Sequence, residues 1–287
     1  MLEAKLVTQY RPGHKTTIKL SEQVAVGGQE ILIIGGPCSV ESWTQMEEVA
    51  SQLKAAPVQM LRGGIYKPRT SPYAFQGLGE AGLKILAAIR QNYGMPVVTE
   101  VMSISQIEAI AADADMLQIG SRNMQNFDLL KAVGQAGKPI LLKRGLAAKL
   151  EEFVLAAEYI LSHGNSQVVL CERGIRSFDD YTRNVLDLGA VVALKQLTHL
   201  PVIVDPSHAA GKRELVADLA RAAIACGADG LIIECHPEPE KSATDARQAI
   251  SLAQMVSLVH SLGPIAAAVG RCIPGVKTLT HPSLCLI

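Results

Sequence analysis

The amino-acid sequence predicts an α/β protein, a (β/α)8 TIM barrel, on three observations. Short β-branched apolar runs recur eight times, each is followed by polar residues and then a helical stretch, and no low-complexity linker interrupts the series. The runs are "ILIIGG" (31–36), "QMLRGG" (59–64), "PVVTEV" (96–101), "DMLQIG" (115–120), "PILLKRG" (139–145), "VVLCERG" (168–174), "PVIVDPSH" (201–208) and "GLIIECHP" (230–237). Consecutive apolar residues without polar alternation suit strands buried on both faces of a parallel sheet. Between them "TQMEEVASQLKAA", "GEAGLKILAAIRQNYG" and "LAAKLEEFVLAAEYILSHG" read as helices, the last two ending at Gly. Eight such units over about 210 residues fit a barrel of ~250 residues in all; an open doubly wound sheet is the alternative that the periodicity leaves.

Ahead of the first run, "TTIKLSEQVAVGG" carries two short β-like runs around a polar turn, and a β-hairpin plugging the bottom of the barrel is expected there. The expected organisation is an N-terminal extension over 1–28, a barrel over 29–264 and a tail over 265–287 with no assignable role. About 28 residues are too few for a second folded domain.

Composition excludes several classes. The 27 Lys and Arg balance 27 Asp and Glu, so no global field favours nucleic acid or an anionic membrane. No continuously apolar, uncharged run approaches the ~20 residues of a membrane span, and "MLEAKLVTQYRPGHKTT" lacks the apolar centre of a signal peptide. Cysteines at 38, 171, 226, 235, 272 and 285 show no short paired spacing, which suggests free thiols in a reducing compartment. A cytoplasmic protein is expected.

Barrel chemistry sits at the C-terminal ends of the strands. Those positions hold Cys38, Arg62, Lys67, Glu100, Arg122, Lys143, Glu172, Arg173, Asp205, His208 and Glu234. Singly, each has an ordinary explanation: a buried thiol, a satisfied histidine, a surface ion pair worth ~0–1 kcal/mol. Together they form two sets. Arg62, Lys67, Arg69, Arg122, Lys143 and Arg173 would repel one another across a cleft unless ligands with several negative charges lay between them. A concave setting and few aromatics argue against nucleic acid. Cys38, His208 and Glu234, with Asp245 as a fourth donor, mix thiolate, imidazole and carboxylate, which suits a divalent transition metal better than Mg²⁺ or Ca²⁺. A nucleophilic Cys38 with His208 as its base is the competing chemical reading.

With these motifs placed, the chain resembles the type I, β-subfamily 3-deoxy-D-arabino-heptulosonate 7-phosphate (DAHP) synthases from about residue 15 to about 262. The resemblance rests on "GPCSVES", "LRGGIYKPRTSPYAFQGLG", "VVTE", "QIGSRNMQNF", "LLKRG", "CERGIR", "VDPSHAAGKR" and "ECHPEPEKSATDARQ". It implies condensation of phosphoenolpyruvate with erythrose 4-phosphate and water to DAHP and phosphate, the first step of the shikimate pathway to aromatic amino acids. It implies Arg62, Lys67, Ser121, Arg122, Lys143 and Arg173 for phosphoenolpyruvate, and Arg69 and Thr70 for erythrose 4-phosphate. The metal set so implied is Cys38, His208, Glu234 and Asp245, holding one divalent ion, Mn²⁺ first, with Fe²⁺, Co²⁺ or Zn²⁺ as alternatives. Lys67, Glu100 and His208 become the catalytic set, Lys67 handling a proton and Glu100 orienting water. The related octulosonate 8-phosphate synthases typically read Lys-Ala-Asn-Arg-Ser where this chain has Lys67-Pro68-Arg69-Thr70-Ser71, which repositions the arginine that meets the sugar phosphate.

Two departures stand out: Ser121 and Ala246 replace a common Ala and Gly, and Ala246 is expected to stiffen the loop carrying Asp245. A homo-oligomer, dimer or tetramer, is expected. Since the extension offers only a hairpin, the chain alone is expected to be insensitive to aromatic amino acids, chorismate and prephenate, with any control exerted by a separate regulatory partner protein.

Overall fold

The computed structural model describes residues 4–9, 11 and 13–277. Eight parallel strands close into a ring: β3 (Leu32–Gly36), β4 (Met60–Arg62), β5 (Val97–Glu100), β6 (Met116–Ile119), β7 (Ile140–Lys143), β8 (Val168–Glu172), β9 (Val202–Val204) and β10 (Gly230–His236). Closure comes from β10, which pairs with β3 (Gly230 opposite Leu32) and with β9 (Gly230 opposite Ile203). This is the predicted (β/α)8 barrel, and the open-sheet alternative falls with the closure.

Side chains along each strand alternate between two cores. Leu32, Ile34, Met60, Val98, Met116, Leu141, Val169, Ile203 and Ile232 fill the barrel interior. Ile31, Ile33, Leu61, Val97, Leu117, Ile140, Val168, Val202, Leu231 and Ile233 pack outward against the helices. Both faces are therefore dry, which is why the strand segments are apolar without alternation. The hairpin β1 (Ile18–Lys19) and β2 (Ala25–Val26) contributes Ile18, Leu20 and Val26 to the interior core, so it plugs the lower end as expected.

The main helices between barrel strands are α1 (Trp43–Ala55), α2 (Glu80–Tyr93), α3 (Ile107–Asp113), α4 (Phe127–Val133), α5 (Leu150–Ser162), α6 (Leu188–Leu197), α7 (Pro206–Ala210) and α8 (Arg213–Ala225). A two-residue strand, β11 (Ile250–Ser251), pairs with β10 and leads into α9 (Leu252–Ala268). Helix α5 starts four residues later than its sequence suggests. Arg144 Nε binds the Ala148 carbonyl at 3.1 Å, and Glu152 caps the Lys149 N–H at 2.7 Å, so Leu146–Lys149 turn instead of coiling. Helix α9 runs through Pro264 to Ala268, so the expected boundary at 264/265 falls inside it, and Cys285 with the rest of 278–287 lies outside the described residues. Among the described residues, no helix is long and apolar enough to cross a membrane.

Candidate active site

The strand ends open into one cavity of about 510 Å³. Arg62 ends β4, Glu100 ends β5 and Lys143 ends β7, while Arg173 follows β8 directly. Ser121 and Arg122 lie in a short 3-10 turn after β6, and Lys67, Arg69 and Thr70 lie in the β4–α2 loop. All of these line the cavity, as do His208 and Asp245. Cys38 and Glu234 sit below it, fully buried.

Cation pairing divides the site. Lys143 is buried against Asp205, whose Oδ2 lies 2.5 Å from its Nζ. Arg69 and Arg122 have no acidic partner among the described residues, and neither has Arg176, a cavity-lining arginine of the β8–α6 loop. Arg62 and Arg173 are about 95% buried, yet each leaves its Nη1 without a hydrogen-bond partner. Burial lowers the Arg173 pKa; for Arg62 burial works the same way, but Cys38, Glu234, Asp205 and Asp245 outweigh it and raise the pKa. Unsatisfied buried guanidinium donors facing a cavity are a site for anions.

The second cluster draws Cys38 from just after β3, His208 from α7, Glu234 from within β10 and Asp245 from the loop that follows β10. Cys38 Sγ, a His208 ring nitrogen, and carboxylate oxygens of Glu234 and Asp245 all lie within 4.8 Å of one another. Asp205 caps α7 by accepting the His208 backbone N–H at 2.9 Å, and its Oδ2 sits 2.8 Å from His208 Nδ1, a close polar contact out of line for a hydrogen bond. That pairing directs Nε2 at the cluster, 3.7 Å from Glu234 Oε2 and 3.8 Å from Cys38 Sγ. The loops of Cys38 and Asp245 are tied together by Ser39 Oγ and Thr244 Oγ1 at 2.8 Å and by Ala243 N–H donating to Glu41 at 2.9 Å.

The donor set fits a divalent transition metal. Glu234 Oε1 is buried without a partner, although Oε2 accepts from Gln248 at 2.7 Å. Burial pushes the Glu234 carboxyl up to about 7, and burial followed by Glu234 pushes the Cys38 thiol up to about 11. Buried acids that resist losing their protons are what a cation in their midst would reverse. Burial also lowers the His208 pKa despite the Asp205 charge. A high thiol pKa beside a neutral imidazole is the reverse of an activated Cys–His pair, so these values favour the metal over a nucleophilic Cys38.

Lys67 bridges the two halves, its Nζ lying 2.8 Å from Cys38 Sγ and 3.1 Å from the Cys38 carbonyl. Burial opposes its charge, but Cys38 and Glu100 outweigh burial and raise its pKa. Glu100 accepts from Gln118 at 3.1 Å and lies against Gly120, where a Cβ would stand 2.1 Å from its Oε1. At Ala246 the backbone keeps a negative φ, which an alanine adopts freely; the left-handed conformation in this loop falls on Asp245, at φ 55°, the one non-glycine among the described residues to take it. Asp tolerates that region better than most residues.

Sequence reasoning named Asp205 and Glu172 as rim residues without separating them. The structure places Asp205 under both sets, whereas Glu172 turns aside to Arg144 at 2.8 Å. It missed Arg176, Arg183 and Asn184, all lining the cavity from the β8–α6 loop. The Arg-rich "RGIRSFDDYTRN" following β8 was their available signal.

The chain is 49% identical over 266 residues to the phospho-2-dehydro-3-deoxyheptonate aldolase of Thermotoga maritima, covering 93% of this chain and 78% of that protein. It is 33% identical over 271 residues to a 2-dehydro-3-deoxyphosphooctonate aldolase of Syntrophotalea carbinolica, covering 88% and 97%. The crystal structure of the Thermotoga maritima enzyme superposes with a TM-score of 0.91 at 46% identity, over 95% of this chain and 79% of that one. A truncated form of 3-deoxy-D-arabino-heptulosonate 7-phosphate synthase from the same organism gives 0.87 at 44% identity, over 93% and 98%. The model of the DAHP synthetase I family matches residues 15–267, nearly the whole barrel and its plug, and the chain is an enzyme of that family.

Proposed function

We propose that this enzyme is a 3-deoxy-7-phosphoheptulonate synthase: it joins phosphoenolpyruvate to erythrose 4-phosphate with water, giving DAHP and phosphate, and uses one divalent metal ion. The observation that carries this is a single cavity whose walls hold unpartnered arginine nitrogens while its floor holds a four-donor cluster. Two phosphorylated substrates account for the walls, and a carbonyl that must be activated accounts for the floor. The higher identity to a heptonate aldolase than to an octonate aldolase supports the four-carbon sugar, as does Arg69 directly after Pro68.

Arg122, Arg173 and the Ser121 N–H hold the phosphate of phosphoenolpyruvate, and Arg62, Lys67 and Lys143 take its carboxylate. Because Asp205 offsets the charge of Lys143, Lys143 acts there mainly as a hydrogen-bond donor. Arg69 and Thr70 take the sugar phosphate, which sets the aldehyde over the Cys38–His208 cluster. A divalent ion held by Cys38, His208, Glu234 and Asp245 supplies Lewis-acid polarisation when bound. C3 of phosphoenolpyruvate then forms the new carbon–carbon bond with the aldehyde carbon. Lys67, kept protonated beside Cys38, delivers a proton to the former aldehyde oxygen. Glu100 orients the water that adds at C2, and the tetrahedral adduct expels phosphate by C–O cleavage. Binding both substrates in one cleft supplies proximity as well as charge.

The test is phosphate release from phosphoenolpyruvate with erythrose 4-phosphate or arabinose 5-phosphate, each with and without chelator. Release with erythrose 4-phosphate, abolished by chelation and restored by Mn²⁺ or a neighbouring ion, is expected. Preference for arabinose 5-phosphate would make the enzyme an octulosonate synthase. Full activity in a demonstrably metal-free preparation would remove the metal from the reading.

A further inference from the structure

Arg183 and Asn184, adjacent in the β8–α6 loop, reach three of the four ligand residues from outside the cluster, Glu234 through Gln248. Arg183 Nη1 donates to Asp245 Oδ1 at 3.2 Å and to Gln248 Oε1 at 3.0 Å. Gln248 in turn donates to Glu234 Oε2 at 2.7 Å. Asn184 Nδ2 donates to the His208 carbonyl at 3.0 Å, and its backbone N–H donates to the Ala209 carbonyl at 2.9 Å. One dipeptide thus contacts the side chain of Asp245, the backbone of His208 and, through Gln248, the side chain of Glu234. Gly211 makes room for it, since a Cβ there would stand 2.5 Å from the Arg183 Cβ.

We propose that Arg183-Asn184 is a clasp that presets the metal site, with Arg183 as a positioning residue that holds Asp245 and Glu234 in ligating orientation. This rests on reading Cys38, His208, Glu234 and Asp245 as metal ligands. The loop of Asp245 needs such a device. Its left-handed backbone is unfavourable for a residue with a Cβ, and such conformations persist where surrounding contacts over-determine them. Arg183, the Cys38 thiol at 3.1 Å and the turn from Gln248 N–H to the Asp245 carbonyl at 3.0 Å supply those contacts. Groups that orient metal ligands typically contribute about 10- to 100-fold in metal affinity.

Charge and positioning predict opposite outcomes here. A guanidinium hydrogen-bonded to a ligand carboxylate repels a divalent ion, so if charge dominates, removing it tightens binding. If Arg183 positions the carboxylates, removing it weakens binding.

The experiment titrates chelator-stripped, reduced full-length protein with Co²⁺ alone, in competition with a chromophoric chelator, and follows the near-ultraviolet thiolate-to-cobalt band. Wild type shows the band and Cys38→Ala lacks it. Arg183→Ala keeps the band at saturation but needs roughly 10- to 100-fold more Co²⁺, with the thermal midpoint of the metal-free protein unchanged. Arg183→Lys, whose ammonium can still donate to both acceptors, recovers part of the affinity. Wild-type or tighter Co²⁺ binding by Arg183→Ala overturns the clasp and leaves the ligand assignment standing. Should Arg183→Ala fail to fold, wild-type affinity in Gln248→Ala overturns it equally. Absence of the band from wild type overturns the ligand assignment, and the clasp with it.

Discussion

Replacing Asp205 with Asn tests whether one buried carboxylate supports both halves of the site. Asp205 is fully buried, and its Oδ2 faces both Lys143 Nζ and His208 Nδ1. Burial alone would raise its pKa; His208 and Lys143 hold it well below the usual carboxylate range. An amide cannot serve the same neighbours. If its oxygen keeps the His208 N–H, its NH₂ faces an ammonium and an imidazole N–H, both donors. Lys143 is then a stranded cation, and breaking a buried pair from one side costs about 3–5 kcal/mol. At an unfolding entropy of ~2.1 cal/mol/K per residue, that is roughly 5–8 °C in Tm for this chain. The imidazole relieves the clash by moving its proton to Nε2, which removes the lone pair aimed at the cluster, so metal affinity falls about 10- to 100-fold. The stabilisation from Asp205 is present above the ordinary carboxylate pKa and lost as pH falls toward its depressed folded value, so the variant lacks that acid limb. Calorimetry from pH 3 to 8 with a parallel Mn²⁺ titration reads all three effects. Adding Lys143→Met to the variant should restore part of the stability and none of the affinity. An Asp205→Asn protein with wild-type Tm and metal affinity would refute the argument.

Arg122→Ala should raise KM for phosphoenolpyruvate about ten- to a hundredfold, the worth of a charge-assisted hydrogen bond at ~1.5–3 kcal/mol, and Arg69→Ala should do so for erythrose 4-phosphate. Equal effects of either change on both substrates would show the two phosphate positions to be misassigned. Gly120→Ala should abolish turnover with phosphoenolpyruvate saturating, because the new Cβ falls 2.1 Å from Glu100 Oε1 and Glu100 must move; unchanged kcat would remove Glu100 from the mechanism. In the metal-free protein the Glu234 pKa is raised to about 7, so the folded state holds that proton more tightly than the unfolded chain. Stability should be greatest below pH 4.5 as far as this group is concerned and fall by about 3 kcal/mol as pH rises through 7. Glu234→Gln should flatten that slope, and a slope unchanged by the substitution would place the titration elsewhere.

The barrel, its plug and the residue types on its rim were legible in the sequence, because each follows from local pattern joined to one general rule. A parallel strand dry on both faces must be a continuous apolar run, and residues just past such runs must lie at one end of the barrel. The family motifs sharpened the rim into candidate roles. Where local propensity and tertiary contact disagreed, contact won: Leu146–Lys149 has helix-forming composition, yet Arg144 holds the Ala148 carbonyl and delays α5.

What the sequence determined by itself was therefore which chemical groups stand at the strand ends: six cations among them, and a thiol, an imidazole and carboxylates. Which of those groups pair with one another was decided only by the tertiary structure. Glu172 and Asp205 occupy equivalent positions after apolar runs, but one turns to Arg144 while the other lies between Lys143 and His208. Lys143 is thereby offset, and Arg69, Arg122 and Arg176 remain open to anions. The reason is physical. Hydrogen bonds and ion pairs act over a few ångströms, between residues as far apart in the chain as Cys38 and Asp245, and sequence spacing carries no record of those distances until the ring has closed.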